Sequence, residues 1–202
     1  NHEYKIYLGI DYDDNFYQDI TVQNNIKRFI SVMKNTDIII INHDISYKGN
    51  TSKLWSNLYK MAYEDNFDYF VQLGDDIKIL DKDWVNSSIK ELKKYNDIGV
   101  VGFKDMGRKK YNPNDSLFTQ TFVSKKHMEI FGFYFPPEIK SWCTDNWIGD
   151  IYDIFNLKLY IRQRILNCGG EPRYDIPLNY KEQYIISMNK YKDNIKKYMD
   201  NI

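Results

Sequence analysis

The 202-residue sequence has little of several features that would place a protein in a specialised class. Its two cysteines, Cys143 and Cys168, are too few for a disulfide-stabilised scaffold and lack the spacing of a zinc site, so we expect free thiols. No apolar run approaches the roughly 20 residues that a transmembrane helix needs. The first ten residues, NHEYKIYLGI, also lack the basic-then-apolar order of a signal peptide. We therefore expect no membrane segment in this chain.

An excess of either charge is also absent. The 28 basic and 28 acidic residues cancel, which argues against a nucleic-acid-binding protein built on a strongly positive face. Aromatic residues make up 16% of the chain, with 18 tyrosines, but the abundance of Asn, Lys, Ile and Tyr is typical of AT-rich coding sequence and needs no ligand to explain it. The length is sufficient for one buried core and short for two, so we predict a single domain over 1–202.

What the sequence does contain is an alternation of strand and helix patterns. Apolar residues at spacing two, or in short continuous runs, predict strands within 4–14, 36–45, 68–73, 98–103 and 157–166, and a strand running into a short helix over 116–132. Helical spacing predicts helices within 24–35, 51–66, 81–96, 143–155 and 182–199. Strands that alternate with helices predict an α/β fold with a largely parallel central sheet flanked by helices. The last helix should pack across the body of the domain.

Acidic residues follow two of these strands directly. Asp75 and Asp76 come after the apolar run DYFVQL, and Asp11, Asp13 and Asp14 follow the first strand. In open α/β sheets ligands bind beyond the carboxyl ends of the strands, and carboxylate oxygens suit Mg²⁺ or Mn²⁺, which take one or two protein carboxylates and complete their shell with phosphate and water. The alternative is that these residues are solvated turn carboxylates, because Asp is common in turns.

The ordered set of segments LWSNLYKMAYEDNFDYFVQLGDDIKIL, IGVVGF, TQTFV with HMEIFG, and WCTDNWIGDIY resembles glycosyltransferases of the GT-A fold, particularly those of large DNA viruses and protists. The resemblance runs from about residue 4 to about residue 174. It implies a Rossmann-like GT-A fold and a metal-dependent enzyme that moves a hexose from a UDP-sugar to a hydroxyl acceptor on a glycan, protein or lipid, with Mn²⁺ or Mg²⁺ as cofactor. It also implies a soluble compartment such as the cytoplasm or a viral factory.

The resemblance assigns roles to individual residues. Asp76 matches the carboxylate that holds the metal, and Asp75 matches one that faces the metal, its bound water or the ribose. Asp145, in the segment TDNW, matches the general base of inverting members, which removes the proton of the acceptor hydroxyl. Many such members have two adjacent acids, whereas here Asn146 follows. A retaining enzyme would need no such base, and Asp145 or Thr144 could instead cap the helix.

The resemblance also implies a donor-binding set that comprises Asp11, Asp13, Asn57, Asp75, Gln120 and Arg173. A sugar-facing wall would consist of Tyr134, Trp142 and Trp147, although the helical spacing of Trp147 favours a core position. The family often completes its metal shell with a C-terminal histidine, but no histidine follows His127 in this sequence. We expect His127 itself to bond to backbone. Asp11 and Asp13 end the first strand here, so either they line the nucleoside pocket or a preceding strand is missing.

Two other functions compete with the glycosyltransferase prediction. A nucleotidyltransferase would use a similar sheet and metal, but the Gly- and Lys-rich phosphate loop that it normally shows is absent near residues 8–14. A catalytically silent domain that binds a sugar or nucleotide is favoured by the Asp145–Asn146 pair and by the missing histidine.

Overall fold

The computed structural model describes residues 2–107, 117–169 and 174–202, which form two β-sheets flanked by helices. A two-stranded sheet contains β1 and β2, and a five-stranded sheet has the order β3-β6-β5-β7-β4. The strands are β1 (Tyr4–Ile10), β2 (Thr36–Asn42), β3 (Tyr69–Gln72), β4 (Ile77–Ile79), β5 (Val100–Asp105), β6 (Thr121–Ser124) and β7 (Lys158–Asn167). The α-helices are α1 (Asn15–Gln18), α2 (Ile20–Ser31), α3 (Thr51–Glu64), α4 (Trp84–Lys93), α5 (Lys126–Phe131), α6 (Thr144–Asp153), α7 (Tyr180–Tyr191) and α8 (Asn194–Met199).

Side-chain caps and apolar stripes account for the two helices next to the smaller sheet. Helix α3 begins after Asn50, which caps it by accepting a hydrogen bond from the Lys53 amide at 3.0 Å. Its apolar stripe is buried at Leu54 and Leu58. Helix α2 packs on β2 of the smaller sheet. Helical spacing places Ile26, Phe29, Ile30 and Met33 on one face, but of these only Ile30 is buried, and Phe29 is 63% exposed.

The main sheet is mixed, which corrects the expectation of a largely parallel sheet. Strands β5 and β7 are parallel, while the pairs β3–β6, β5–β6 and β4–β7 are antiparallel. A parallel neighbour needs a crossover connection that is usually a helix, and the sequence between β5 and β6 carries no helical apolar pattern. The α/β class and the flanking helices are confirmed.

The five-stranded sheet is curled, because its opposite edges are joined by a very short link. Residues 73–76 connect β3 at one edge to β4 at the other. An extended link of this length reaches about 17 Å, whereas the outer strands of a flat five-stranded sheet lie about 19 Å apart. Strand β4 pairs with the last part of β7, from Ile165 to Asn167. The link, which contains both Asp75 and Asp76, therefore crosses the carboxyl-terminal edge of the sheet.

Alternate residues of the central strands enter two separate cores. Val100 belongs to the larger core, which also contains residues of α3, α5 and α6. Val101 belongs to the smaller core, beneath Leu92 of α4. Both faces of the sheet are thus covered, which explains why β5 reads as a continuous apolar run instead of alternating.

The carboxyl-terminal region forms two helices where the sequence predicts one. Helices α7 and α8 pack against α6 and α5 respectively, and Ile195 of α8 is fully buried. Ile185, which the helical spacing places inward, is 56% exposed. None of the helices in the described ranges combines the length and the apolar character needed to cross a bilayer.

Candidate acidic site at the strand ends

The carboxyl ends of β3, β5 and β7 lie along one edge of the main sheet. This follows from the pairing, because β3 and β5 are each antiparallel to β6 and β5 is parallel to β7. Asp105 ends β5, is 5% exposed, and accepts hydrogen bonds from the amides of Gly107 at 2.9 Å and Asn167 at 3.2 Å. The Cys168 amide donates to the Asp76 carbonyl at 2.9 Å. These bonds join the ends of β5 and β7 to the acidic link.

Glycines surround the Asp76 carboxylate. A Cβ atom added to Gly74 would lie 2.5 Å from Asp76 Oδ1, and one added to Gly169 would collide with Asp76 Oδ2 and lie 2.8 Å from Asn167 Oδ1. A larger residue at either glycine would therefore displace this carboxylate. The amide of Gly74 donates to Gln120 Oε1 at 2.9 Å, and Gln120 is itself 5% exposed. Gln120, which the sequence assigned to the donor, thus supports the backbone of the acidic link.

The first strand contributes a second group of side chains. The Tyr174 hydroxyl donates a hydrogen bond to Asp11 Oδ2. Burial raises the pKa of Tyr17 above its ordinary value, and the charge and hydrogen bond of Asp75 raise it further. Tyr17 lies in α1, directly after the first strand, so this contact joins the carboxyl end of β1 to that of β3.

A cavity of about 1050 Å³ lies between β1 and β3 and is lined at one end by acidic residues. Its floor includes Leu54 and Leu58 of α3, and its other side includes Trp84 of α4. The residues at its acidic end are Asp11, Asp14, Tyr17, Gly74, Asp75 and Tyr174. The structure thus brings Asp11 and Asp75 to one cavity, as the rule that ligands bind at strand ends predicts.

Two other members of the predicted donor set take different positions. Asp13 forms an ion pair with Lys48 at 3.1 Å. Asn57 donates from Nδ2 to His43 Nε2, with the two atoms 3.4 Å apart, and burial lowers the pKa of His43. Neither Asp13 nor Asn57 lines the cavity. Arg173 lies outside the described residues.

Asp145 lies in the first turn of α6 but does not cap it. The cap position is Cys143, with φ of 73° and no side-chain cap hydrogen bond, and Thr144 Oγ1 donates to the Ser141 carbonyl at 3.3 Å. Burial raises the pKa of Tyr134 and of Cys143, and in both cases the Asp145 charge adds to the effect. The cap alternatives at Asp145 and Thr144 are therefore wrong, and Asp145 lies within electrostatic range of the Tyr134 hydroxyl.

The aromatic residues around α6 mostly build the core. Trp147 is fully buried and packs edge-on against Phe131, with ring centroids 5.3 Å apart, so the core alternative for Trp147 is confirmed. Tyr134 is 2% exposed, and its hydroxyl donates to the Thr121 carbonyl at 3.0 Å. Of the three predicted wall residues, Tyr134 and Trp147 are therefore buried, and Tyr134 lines the cavity between β1 and β3. Trp142 is partly exposed.

The donor atoms fit a divalent cation only when a ligand supplies further oxygens. Across 2–107, 117–169 and 174–202, no three His, Cys, Asp or Glu side chains form a group that could hold a metal ion. Asp75 and Asp76 are both exposed and offer carboxylate oxygens, the type of atom that Mg²⁺ and Mn²⁺ prefer. Two carboxylates suffice for these ions when phosphate oxygens and water complete the shell.

Three residues of this site, Asp105, Tyr17 and Tyr174, are not among those predicted from the sequence. Asp105 could have been found by the rule that identified Asp75, because it also ends an apolar strand. Tyr17 and Tyr174 carry no such signal, since the sequence has 18 tyrosines and their contacts with Asp75 and Asp11 come from chain folding. Comparison with known proteins adds no assignment: no protein-family model and no curated protein matches this chain.

Proposed function

We propose that this chain is a metal-dependent glycosyltransferase of the GT-A type that moves a hexose from a UDP-sugar to a hydroxyl acceptor. The observation that carries the proposal is the acidic edge, where Asp11 and Asp75 line one cavity and Asp76 follows on the same link. A nucleotide diphosphate needs this combination of a cavity for its nucleoside and carboxylates for a bridging cation. The ordered motifs described above support the same function.

In the proposed reaction Asp75 and Asp76 would hold a Mn²⁺ or Mg²⁺ ion, whose charge would neutralise the diphosphate leaving group. The absence of side chains at Gly74 and Gly169 leaves space for the Asp76 carboxylate, and Gln120 holds the start of the link through the Gly74 amide. Asp145 accepts the proton of the acceptor hydroxyl as the hydroxyl oxygen attacks the anomeric carbon, and the bond from that carbon to the diphosphate oxygen breaks and releases UDP. A base in this role typically contributes about 10²- to 10⁴-fold to the rate.

The metal-binding proposal is tested by calorimetry with UDP and Mn²⁺ on the Asp76→Asn variant. We expect donor binding to be lost while the fold persists, because removal of one of two adjacent carboxylates lowers their repulsion. Asp153→Asn is a matched control, since Asp153 is an exposed residue at the end of α6. Unchanged affinity of Asp76→Asn for UDP and Mn²⁺ would place the metal elsewhere.

The catalytic proposal is tested by mass spectrometry of products formed from a panel of nucleotide sugars with Mn²⁺. Asp145→Asn should lower turnover far more than donor affinity, because a base acts on the acceptor proton in the transition state. A variant that keeps near-normal turnover would exclude Asp145 as the base.

A catalytically silent nucleotide- or sugar-binding domain is the second candidate. It is favoured by Asn146 beside Asp145 and by the absence of a three-residue metal group among the described residues. Under either function, UDP with Mn²⁺ should stabilise the protein against heat. The stabilisation should be about 2.7 kcal/mol when the UDP concentration is one hundred times its dissociation constant. Binding without product identifies the silent domain. Stronger stabilisation by ATP or GDP would favour a nucleotidyltransferase.

A further inference from the structure

Helix α2 carries a second apolar stripe, which the described part of the chain leaves exposed. The side of the helix that faces β2 contains Gln23 and Ile30, and both are buried. The second stripe consists of Val22, Ile26, Phe29 and Met33. Phe29 is 63% exposed and Met33 is 40% exposed. Met33 belongs to this stripe because its amide donates to the Ile30 carbonyl at 2.8 Å, which continues the helical turn.

The spacing of the stripe is typical of a helix that packs against a second helix. Its members follow one another at intervals of four, three and four residues. At these intervals the side chains form one seam along the helix, and the seam of one helix inserts its side chains between those of another. A groove of about 400 Å³ runs beside the seam and is lined by Phe16, Tyr17, Val22, Asn25, Ile26 and Phe29.

The charges of α2 are divided between its two ends. Asp19 caps the amino-terminal end and accepts a hydrogen bond from the Thr21 amide at 2.6 Å. Lys27, Arg28 and Lys34 lie towards the carboxyl-terminal end and are exposed. A second copy of α2 that runs antiparallel would place its acidic end beside the basic end of the first, whereas a parallel copy would place like charges together. The charges therefore favour a copy of this chain related by a two-fold axis.

The exposed apolar area is sufficient for a small interface. Phe16 is 65% exposed and Phe29 is 63% exposed. Since a phenylalanine offers about 200 Å², the two rings expose about 250 Å² together. The smallest specific interfaces bury about 500 Å² on each partner, so these rings supply about half of that area. Ile20, Ile26 and Met33 are further apolar residues on the same two helices.

We propose that two copies of this chain form a dimer through α1 and α2, with the two α2 helices antiparallel. The two-fold axis would pass beside Asn25, so that Val22 lies opposite Phe29 of the partner subunit. Each copy would then cover the apolar stripe of the other. The proposal rests on the surface of α1 and α2 and does not depend on the proposed function.

Analytical ultracentrifugation over a range of protein concentrations tests the dimer. We expect a dissociation constant on the order of 10 µM, because the interface is small. Phe29→Asp should raise it at least about tenfold, since the interface would bury an unpaired charge. Ile185→Asp makes a similar change at a residue of α7 that is 56% exposed, and it should leave the dissociation constant unchanged. A wild-type protein that stays monomeric at about 300 µM, or a Phe29→Asp variant that dimerises equally well, would overturn the proposal.

Disulfide cross-linking tests the direction of the two helices. In a Cys168→Ser background, which removes the exposed native thiol, Asn25→Cys should link two copies on oxidation because it lies beside the axis. Asn24→Cys is the matched control, since residue 24 lies on the opposite side of the helix from the stripe. Met33→Cys should not link to itself, because an antiparallel pair places the two copies of this residue at opposite ends. Self-linking of Met33→Cys, or no more linking of Asn25→Cys than of Asn24→Cys, would overturn the antiparallel dimer.

Discussion

His127 should make the stability of this protein fall between neutral pH and pH 4.5. The side chain is 1% exposed, with Nδ1 2.9 Å from the Tyr152 hydroxyl and Nε2 3.0 Å from the Tyr134 carbonyl. Since a carbonyl only accepts, Nε2 donates and Nδ1 accepts from Tyr152. The expected bond from His127 to backbone is confirmed, and the ring is held in its neutral form.

Burial lowers the pKa of His127 from 6.5 to about 4. Between pH 6.5 and pH 4 the unfolded chain binds a proton at this histidine that the folded chain excludes. The free energy of unfolding is therefore undiminished above pH 6.5 and decreases as the pH falls towards 4. The shift predicts a loss of about 2 kcal/mol in the free energy of unfolding between pH 7 and pH 4.5. No solvent screening reduces this figure, because the ring is fully buried.

The assay is urea unfolding at a series of pH values, with His127→Gln as the test variant. Glutamine does not titrate. Between pH 7 and pH 4.5 the free energy of unfolding of the variant should therefore decrease by about 2 kcal/mol less than that of the wild type, whatever the stability of the variant at pH 7. Burial also lowers the pKa of His43, and His43→Gln measures that share separately. Arg164 lowers the pKa of Asp81 to about 2, so that carboxylate titrates below the window.

The same pH dependence in wild type and His127→Gln would refute the reasoning. A direct check is the NMR titration of the His127 ring protons, which should show no change above pH 5. A midpoint near 6.5 would mean that the ring is hydrated in the folded protein.

Three further predictions concern small changes around the sheet and the acidic link. Gly102→Ala should destabilise the fold by about 1–3 kcal/mol in urea unfolding, because the added methyl group would overlap the Phe118 ring, and an unchanged midpoint would contradict this packing. Gly169→Ala should displace the Asp76 carboxylate and weaken the binding of UDP with Mn²⁺ in calorimetry; equal affinity would show that Asp76 does not hold the ion. Gln120→Leu should cost about 1–3 kcal/mol in thermal unfolding, because it removes the acceptor of the amide that begins the acidic link, and a neutral result would mean that water replaces this acceptor.

Most of the secondary structure could be predicted because each segment carries its own periodicity. The run 68–73 contains β3, and 81–96 contains α4, since apolar spacing and turn residues are local signals. Strand β4 was missed because three residues are too few to show a period. The direction of pairing was also missed, because the neighbours of a strand depend on connections and packing far along the chain.

Some residues of the candidate site could be predicted from the sequence, and others only from the structure. The sequence places Asp11 and Asp75 at the ligand-binding edge of the sheet, because the apolar pattern indicates where each strand ends and ligands bind at strand ends. The sequence is compatible with either core packing or ligand contact for Trp147, and only its burial beside Phe131 decides between the two. The support that Gln120 gives to Gly74 across 46 residues has no local signal at all.

The sequence by itself determined where helices and strands form, that the chain has no disulfide scaffold, and that carboxylates follow two apolar strands. Those properties depend on neighbouring residues and on composition. Tertiary structure alone decided that the sheet is mixed and curled, that Tyr17 meets Asp75, and that β1 and β3 face each other across a cavity. The physical reason is that these contacts join residues that lie far apart in the sequence, and the energy that selects them comes from burying surfaces shared by the whole chain.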